Sequence, residues 1–146
     1  MELSTDQKGA IAESAIVHAA IKLGIGVFKP VTDGHRYDLV FDLAPRLVRV
    51  QCKWAPLYRN VVVVRLYSSR RTASGLSRRR YTAGEVDAIA LYCQELDRCF
   101  YVPMESVDGH HELSLRIEPC RNNQAEGVNW ADEFAFERLA WRSEGP

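Results

Sequence analysis

The chain has 146 residues, of which 47% are hydrophobic and 26% are charged, and its 19 basic and 19 acidic residues cancel. This length and composition predict one soluble globular domain over residues 1–146, and no apolar run is long enough to span a membrane. The first residues, Met1–Asp6, are polar and acidic, unlike a signal peptide, which predicts a cytoplasmic location.

The charges are unevenly distributed along the chain. Between Leu43 and Gly84 there are ten basic residues and no acid, so the remaining residues carry nine basic and nineteen acidic groups. Such polarity indicates a polyanionic partner. The alternative is a solvated loop whose arginines pair with the acidic C-terminal part.

Four cysteines are present without CxxC spacing, namely Cys52, Cys93, Cys99 and Cys120. Their apolar surroundings favour reduced, buried thiols. A zinc site formed by Cys99, His110, His111 and Cys120 is the alternative, but the spacing fits no usual zinc finger.

A helix is predicted at the N-terminus. Ser4 and Gln7 form a capping-box pattern, so the helix should begin near Thr5 and run to about Leu23, before Gly24. Its apolar stripe at helical spacing should pack on a sheet, and Glu13 lies at the edge of that stripe. The next segment, 25–30, reads as a short edge strand that Pro30 ends.

Residues 38–53 alternate apolar and polar side chains on both sides of Ala44-Pro45-Arg46, which predicts two strands joined by a tight turn. Gln51 and Lys53 fall on one face of the second strand, and Asp38 should lie across from one of them. Carboxylate and amide oxygens suit Mg²⁺ or Ca²⁺, and an ammonium group beside them can stabilise a phosphate. Asp42 is a second candidate ligand, or else a structural residue at the end of the hairpin.

The later chain alternates strands with polar connections. Residues 60–67 read as a third strand, central in the sheet, because both of its faces are apolar apart from Arg65. Residues 68–80 contain five arginines, seven small residues and no acid, which predicts a mobile loop that orders on DNA. The remaining predictions are strands over 86–93, 99–103 and 113–117, a helical turn over 103–107, a polar loop over 119–127 and an amphipathic helix over 130–141.

The motif around Asp38 resembles the PD-(D/E)xK nuclease superfamily, in which an acid is followed after about a dozen residues by acid-x-Lys. Here Asp38, twelve intervening residues and Gln51-Cys52-Lys53 follow that order. Tyr37 replaces the proline and Gln51 replaces the second acid. The Gln form is similar to the branch that contains the group I intron-encoded homing endonucleases, as are residues 81–92 and 100–103.

This resemblance implies an α/β, restriction-endonuclease-like core with a central mixed sheet flanked by helices, in the order αβββαβ. It implies a metal-dependent DNA endonuclease in which Glu13, Asp38 and Gln51 hold Mg²⁺, or Mn²⁺ as a substitute, and Lys53 activates or stabilises. The role of Glu13 comes from the resemblance alone. The expected DNA-binding residues are Lys8, Arg49, Arg70, Arg71, Arg78, Arg79, Arg80 and Tyr81.

The more specific expectation is a homing-type enzyme that makes double-strand cuts in DNA. Two cuts on opposite strands require two active sites, so a homo-oligomer, dimer or tetramer, is expected. A restriction-like nuclease or a Holliday-junction resolvase would share the core. A catalytically inactive DNA-binding module, with Gln51 as its mark, and a domain whose arginines serve protein contacts also remain open.

Overall fold

The computed structural model describes residues 1–118 and 128–143. The helices and strands are α1 (Thr5–Lys22), β1 (Gly26–Phe28), β2 (Leu39–Leu43), β3 (Arg46–Trp54), β4 (Leu57–Tyr58), β5 (Val61–Arg65), β6 (Tyr67–Thr72), β7 (Gly75–Arg80), β8 (Ala88–Cys93), β9 (Arg98–Pro103), β10 (Glu112–Arg116) and α2 (Arg138–Ser143). Short 3-10 turns occupy Met104–Ser106, as predicted, and Ala131–Phe134. None of the helices in the described ranges is long and apolar enough to cross a membrane.

The predicted capping box starts helix α1. The Ser4 hydroxyl accepts a hydrogen bond from the Gln7 backbone at 3.2 Å, and the Gln7 side chain accepts one from the Ser4 backbone at 2.8 Å. The helix ends just before Gly24, whose φ of +77° suits glycine. Ala12, Ile16 and Ala20 are buried under it, so the predicted apolar stripe does pack on the sheet.

The central sheet has five strands in the order β1-β2-β3-β8-β9. Strands β2 and β3 form the predicted hairpin, whereas β3 and β8 are parallel, so the sheet is mixed and the α/β class is confirmed. Parallel neighbours need a crossover connection. Residues 55–87, all of which the structure describes, make this crossover with strands alone, so the second helix of the αβββαβ order is replaced here by β4–β7.

The two faces of the central sheet are covered differently. Helices α1 and α2 cover one face through a core that includes Ile16, Phe41 and Phe136. A second sheet, of three strands in the order β10-β5-β4, covers the β8–β9 part of the other face. The predicted third strand therefore exists as β5, but its placement in the main sheet was wrong. Its side chains alternate between buried and half-exposed, as a strand with one covered face requires.

The predicted mobile loop at 68–80 is also wrong, because most of it forms an antiparallel pair. Strands β6 and β7 pair from Tyr67 with Arg80 to Thr72 with Gly75 around a turn at residues 73–74. We call residues 67–80 the arginine ribbon. Every β7 side chain is exposed, so no burial-driven alternation marks this strand in the sequence.

The C-terminal segment is not the single helix predicted over 130–141. Residue 135 forms a β-bridge with Phe100 in β9, and the Phe136 backbone donates to the Cys99 carbonyl at 3.3 Å. This pairing separates the 3-10 turn from α2. The loop predicted over 119–127 lies outside the described residues.

The prediction of reduced, buried thiols is confirmed for Cys93 and Cys99, whereas Cys52 is reduced but only half-buried. Cys52, Cys93 and Cys99 are free, and burial raises the pKa of each, that of Cys99 to about 12. Cys120 lies outside the described residues. Within residues 1–118 and 128–143, no three His, Cys, Asp or Glu side chains group as a metal site would require.

Candidate active site

The hairpin opens where Asp38 begins. The regular β2–β3 ladder ends at the pair Leu39 and Val50, and β3 continues alone on that side to Trp54. The Asp38 carboxylate fills the gap, because its Oδ2 accepts a hydrogen bond from the Cys52 backbone N–H at 3.0 Å. This bond fixes the carboxylate on β3 between Gln51 and Lys53. The charges of Asp38 and Lys53 therefore act on each other, and the catalytic and metal-binding roles expected for these residues stay predictions.

The Asp38 carboxylate lies in an environment that disfavours its charge. Burial raises its pKa, and the negative charge of Glu13 raises it further, whereas the Cys52 N–H and the Lys53 ammonium lower it. The net effect is a pKa above the ordinary value of 3.8. A carboxylate pair of this kind is stabilised when a cation binds between its members.

Helix α1 brings Glu13 to the same end of the sheet. The Glu13 carboxylate pairs with the Lys29 ammonium at 2.9 Å, and its side chain is 29% exposed. This contact raises the pKa of Lys29. Because the charge of Glu13 also acts on Asp38, the two carboxylates lie within electrostatic range of each other. Lys29 holds the Glu13 carboxylate in place beside the hairpin through this ion pair.

Lys53 is held by the base of the arginine ribbon. Its Nζ donates to the Tyr67 carbonyl at 3.1 Å and lies 5.0 Å from the centre of the Tyr81 ring. Burial lowers the pKa of Lys53, Asp38 opposes this, and the positive charges of Arg36 and Arg65 lower it further. The ammonium has three N–H donors, so two remain to contact a phosphate.

Gln51 supplies a neutral amide where an acid would add charge. Its Nε2 makes only a long contact of 3.5 Å with the Cys52 carbonyl. The candidate donor set is thus two carboxylates, Asp38 and Glu13, and one amide oxygen. Hard oxygen donors of this kind fit Mg²⁺ or Mn²⁺ and do not favour soft metals.

A basic pocket of about 620 Å³ opens beside Lys53. It is lined by residues of α1, β3, β5 and the ribbon, including Lys8, Gly9, Arg65, Tyr67 and Ser69. The Lys8 ammonium lies 5.9 Å from the ring centre of Trp54, another lining residue. The pocket therefore connects the end of β3 with the ribbon along a surface of positive charge.

Asp42, the second candidate ligand, lies at the opposite end of the hairpin. Its Oδ1 accepts a hydrogen bond from the Ala44 backbone at 3.1 Å, and its side chain is exposed. This contact stabilises the turn. The structural role considered for Asp42 is the one that the geometry supports.

Two of the expected DNA-binding residues have internal roles instead. The Arg49 guanidinium donates to both carboxylate oxygens of Asp87 at 3.0 Å and to the carbonyls of Gly84 and Ala83. The pKa of Asp87 is lowered by these bonds. Tyr81 is only 4% exposed and supports the cations of Arg36 and Lys53. Both side chains therefore have internal partners, Tyr81 is buried, and 34% of the Arg49 side chain remains exposed.

The other expected DNA-binding residues lie on the ribbon and α1. Arg71 and Arg78 are exposed, with Arg78 lying 5.1 Å from the Tyr67 ring. Arg79 pairs with Glu85 at 2.7 Å but keeps 68% of its side chain exposed, and Arg80 donates to the Gly109 carbonyl. The backbone of Arg70 pairs with Ser77 in the ribbon ladder. The positive block is therefore mostly surface charge rather than internal ion pairs.

Sequence reasoning missed several residues of this site. Arg36 and Arg65 both lower the pKa of Lys53, and Lys29 holds Glu13. Arg65 is the one charge in a run of apolar residues, and Arg36 stands two residues before Asp38, the same spacing as between Gln51 and Lys53. The isolated charge in β5 and the two-residue spacing before Asp38 were signals in the sequence that pointed to these two arginines. The Asp87 contact joins residues 38 positions apart and left no local trace.

The comparisons with known proteins identify the family and the fold in which these residues lie. The family model described as PD-(D/E)XK endonuclease matches residues 3–137. The structure of the bacterial homing endonuclease I-Ssp6803I superimposes with a TM-score of 0.74 at 28% sequence identity, covering 91% of this chain and 89% of that one. No curated protein matches the sequence. The match over nearly the whole chain shows that the protein is a nuclease-fold member of the PD-(D/E)XK endonuclease family.

Proposed function

We propose that the protein is a divalent-metal-dependent DNA endonuclease of the homing type, which hydrolyses phosphodiester bonds and cuts both strands of a duplex at a specific site. The observation that carries this proposal is the hydrogen bond that holds the Asp38 carboxylate on the β3 backbone between Gln51 and Lys53, where Lys53 lines a basic pocket that extends to the arginine ribbon. A carboxylate that burial disfavours, next to a lysine whose pKa burial lowers, is typical of catalytic sites.

Mg²⁺, with Mn²⁺ as a substitute, is the proposed cofactor, and Asp38, Gln51 and Glu13 are the residues that would hold it. When bound there, a divalent ion supplies charge for the phosphate and lowers the pKa of a water molecule. With one neutral ligand among three, the protein alone binds such an ion weakly. Metal and DNA phosphate therefore bind together.

The remaining steps belong to the side chains of the chain itself. Lys53 has spare donors for a non-bridging phosphate oxygen and stabilises the charge that develops there. Lys8 and Arg65 line the same pocket and neutralise neighbouring phosphates. The ribbon arginines Arg70, Arg71, Arg78, Arg79 and Arg80 extend the DNA contact beyond the pocket, and those of β7 are all exposed. A two-stranded ribbon fits the major groove, where base edges differ.

Cutting both strands is proposed to require a homo-oligomer. Each chain supplies one set of Asp38, Gln51 and Lys53, and a two-fold arrangement places two sets on opposite strands. Mass measurement of the protein with and without DNA tests it, and a monomer in both states contradicts it.

The central experiment is incubation of the full chain with a duplex DNA library and Mg²⁺, followed by mapping of the cut ends. Paired cuts at one recurring sequence are the expected result. Four-way junction DNA is tested in parallel, because preferential cutting of the junction would identify a resolvase. Cuts without a recurring sequence would contradict the homing assignment while leaving a nuclease in place.

One observation favours a second candidate, a DNA-binding module without catalysis. Among the described residues no cluster of three acidic, histidine or cysteine side chains surrounds Asp38, because Gln51 occupies the place of an acid. This candidate predicts salt-dependent DNA binding without metal-dependent cleavage. The substitution Gln51→Glu restores the acid, so cleavage that appears only in this variant would favour the inactive module.

A further inference from the structure

The arginine ribbon is fastened to the catalytic hairpin at both of its strands. On the β6 side, the Lys53 ammonium donates to the Tyr67 carbonyl at 3.1 Å. On the β7 side, Nη2 of Arg36 donates to the Arg79 carbonyl at 3.2 Å and to the Arg80 carbonyl at 3.0 Å. Tyr67 and Arg80 are the ladder pair at the base of the ribbon. The two cations therefore hold the same end of the ribbon from opposite strands.

Arg36 links the position of the ribbon to the position of Asp38. It stands two residues before Asp38, so a shift of its guanidinium moves the chain that carries the carboxylate. Its guanidinium lies 4.4 Å from the centre of the Tyr81 ring, which also contacts Lys53. Tyr81 itself follows directly after β7. Tyr81 and the two cations that contact it therefore connect the ribbon with the segment before Asp38 and with Lys53 on β3.

The position of the Arg36 guanidinium includes one energetically unfavourable feature. Its Nε is shielded from solvent and has no hydrogen-bond partner among the described residues. A buried donor without an acceptor is destabilising, so its presence in a folded protein calls for an explanation.

We propose that Arg36 is a positioning residue, which locks the base of the arginine ribbon against the end of β3 so that DNA held by the ribbon meets Asp38 and Lys53 in a fixed register. This inference rests on the proposed function. It separates two properties of the ribbon: its arginines determine how tightly DNA binds, and Arg36 determines where the bound phosphate lies.

The first experiment measures the anchor without DNA or metal. Amide hydrogen exchange is followed in the parent chain, in Arg36→Met, which removes the donors, and in Arg36→Lys, which keeps the charge but loses the planar fork. In Arg36→Met, peptides over 67–80 should exchange at least about tenfold faster while β8 and β9 peptides are unchanged. Arg36→Lys should be intermediate. The matched control, Arg46→Met, changes an exposed arginine at the far end of β3 and should leave the ribbon unchanged.

The second experiment separates binding from cleavage, using a duplex recovered from the library and Mg²⁺. Arg36→Met should keep the Kd for that duplex within about threefold, because the ribbon arginines are intact. Its single-turnover rate at saturating DNA should fall about 100-fold, since a small displacement of the reacting group has a large effect on rate. Arg36→Lys should recover part of the rate.

Ribbon exchange that is equally slow in Arg36→Met and the parent would overturn the proposal. So would a rate at saturating DNA that matches the parent. Faster exchange throughout the chain would assign Arg36 to general stability and would also overturn it. If the parent chain cuts no DNA, the proposed function fails, and the exchange measurement still decides whether Arg36 anchors the ribbon.

Discussion

Strand β3 and the arginine ribbon both carry basic side chains, but these side chains differ in their contacts and in their exposure. On β3, Arg49 is bound to Asp87 and Lys53 is half-buried between the Tyr67 carbonyl and Asp38. On the ribbon, every β7 side chain is exposed and the nearby partners are few. Position in the sheet, rather than residue type, therefore separates a structural arginine and the proposed catalytic lysine from the arginines that we propose to contact DNA.

The largest effect should come from removing the charged groups at the end of β3. Asp38→Asn and Lys53→Met should each lower the single-turnover cleavage rate by about 10³-fold, because each removes charge that acts on the reacting phosphate. Binding to the ribbon should be preserved in a gel-shift measurement. Asp42→Asn is the matched control, since its carboxamide can still accept the Ala44 hydrogen bond. A cleavage rate equal to that of the parent in either variant would contradict the assignment of catalysis to these residues and of DNA binding to the ribbon.

The same Asp38→Asn variant should be more stable than the parent in metal-free buffer at neutral pH. Because the folded protein raises the pKa of Asp38, its ionised form opposes folding above the unfolded value, and the neutral amide avoids this. The Cys52 N–H keeps an acceptor. Thermal unfolding should show a higher Tm, and a lower Tm would indicate that the carboxylate stabilises the fold.

The next effect tests the structural role of Arg49. Asp87→Asn should lower the free energy of unfolding by roughly 2 kcal/mol, since it weakens a partly buried, multiply hydrogen-bonded pair. The pKa of Asp87 is lowered from 3.8, so this stabilisation is complete above pH 3.8 and is lost as the pH falls through the lower folded value. The free energies of unfolding of the parent and of Asp87→Asn, measured by urea titration, should therefore converge as the pH is lowered from neutral to acid.

An exposed ion pair gives the control for that measurement. Asp132 pairs with Arg98 at 3.3 Å with 81% of its side chain exposed, so Asp132→Asn should change the stability by less than about 1 kcal/mol. Equal effects of the two substitutions would show that Arg49 is no more committed to the fold than a surface arginine.

A smaller effect is expected on the ribbon itself. The double variant Arg71→Gln with Arg78→Gln should weaken DNA binding about tenfold at moderate salt and lower the slope of log K against log salt by about 2. Its stability should be unchanged because both side chains are exposed. Arg59→Gln, an exposed arginine outside the ribbon, is the control. An unchanged salt slope would show that these arginines do not contact phosphates.

The smallest effect concerns the helix that carries Glu13. Ser4→Ala removes the acceptor for the Gln7 backbone and should cost about 1 kcal/mol in thermal or urea unfolding. Ser14→Ala, in an exposed position within α1, should be neutral or slightly stabilising. A neutral Ser4→Ala would mean that packing against the sheet, not the cap, determines where α1 begins.

Sequence alone predicted the parts of the site whose signals are local. The capping box marked the start of α1. The alternation around Pro45 marked the β2–β3 hairpin, which has Asp38 just before β2 and Gln51 on β3. The placement of β5 failed because a Val-rich run looks the same in either sheet. The prediction of the ribbon failed because β7 buries no side chain, and the pairing of its strands depends on backbone hydrogen bonds that composition does not reveal.

Long-range contacts account for the remaining differences. Arg49 reads as a free cation on the polar face of β3 until Asp87 is brought beside it by the parallel β3–β8 pairing. Arg36 reads as a loop residue until the base of the ribbon supplies its carbonyl acceptors, 43 and 44 positions away. Such partners are determined by topology, which local patterns do not encode.

The ribbon leaves and rejoins the body of the protein at one ladder pair, Tyr67 and Arg80, and its tip is a turn at residues 73–74. Residues can therefore be inserted or deleted in matched pairs near the tip without moving either attachment point. Under the proposed function, target preference could then diversify through such length changes without any change at Asp38 and Lys53. The tip would be the place to insert new recognition segments.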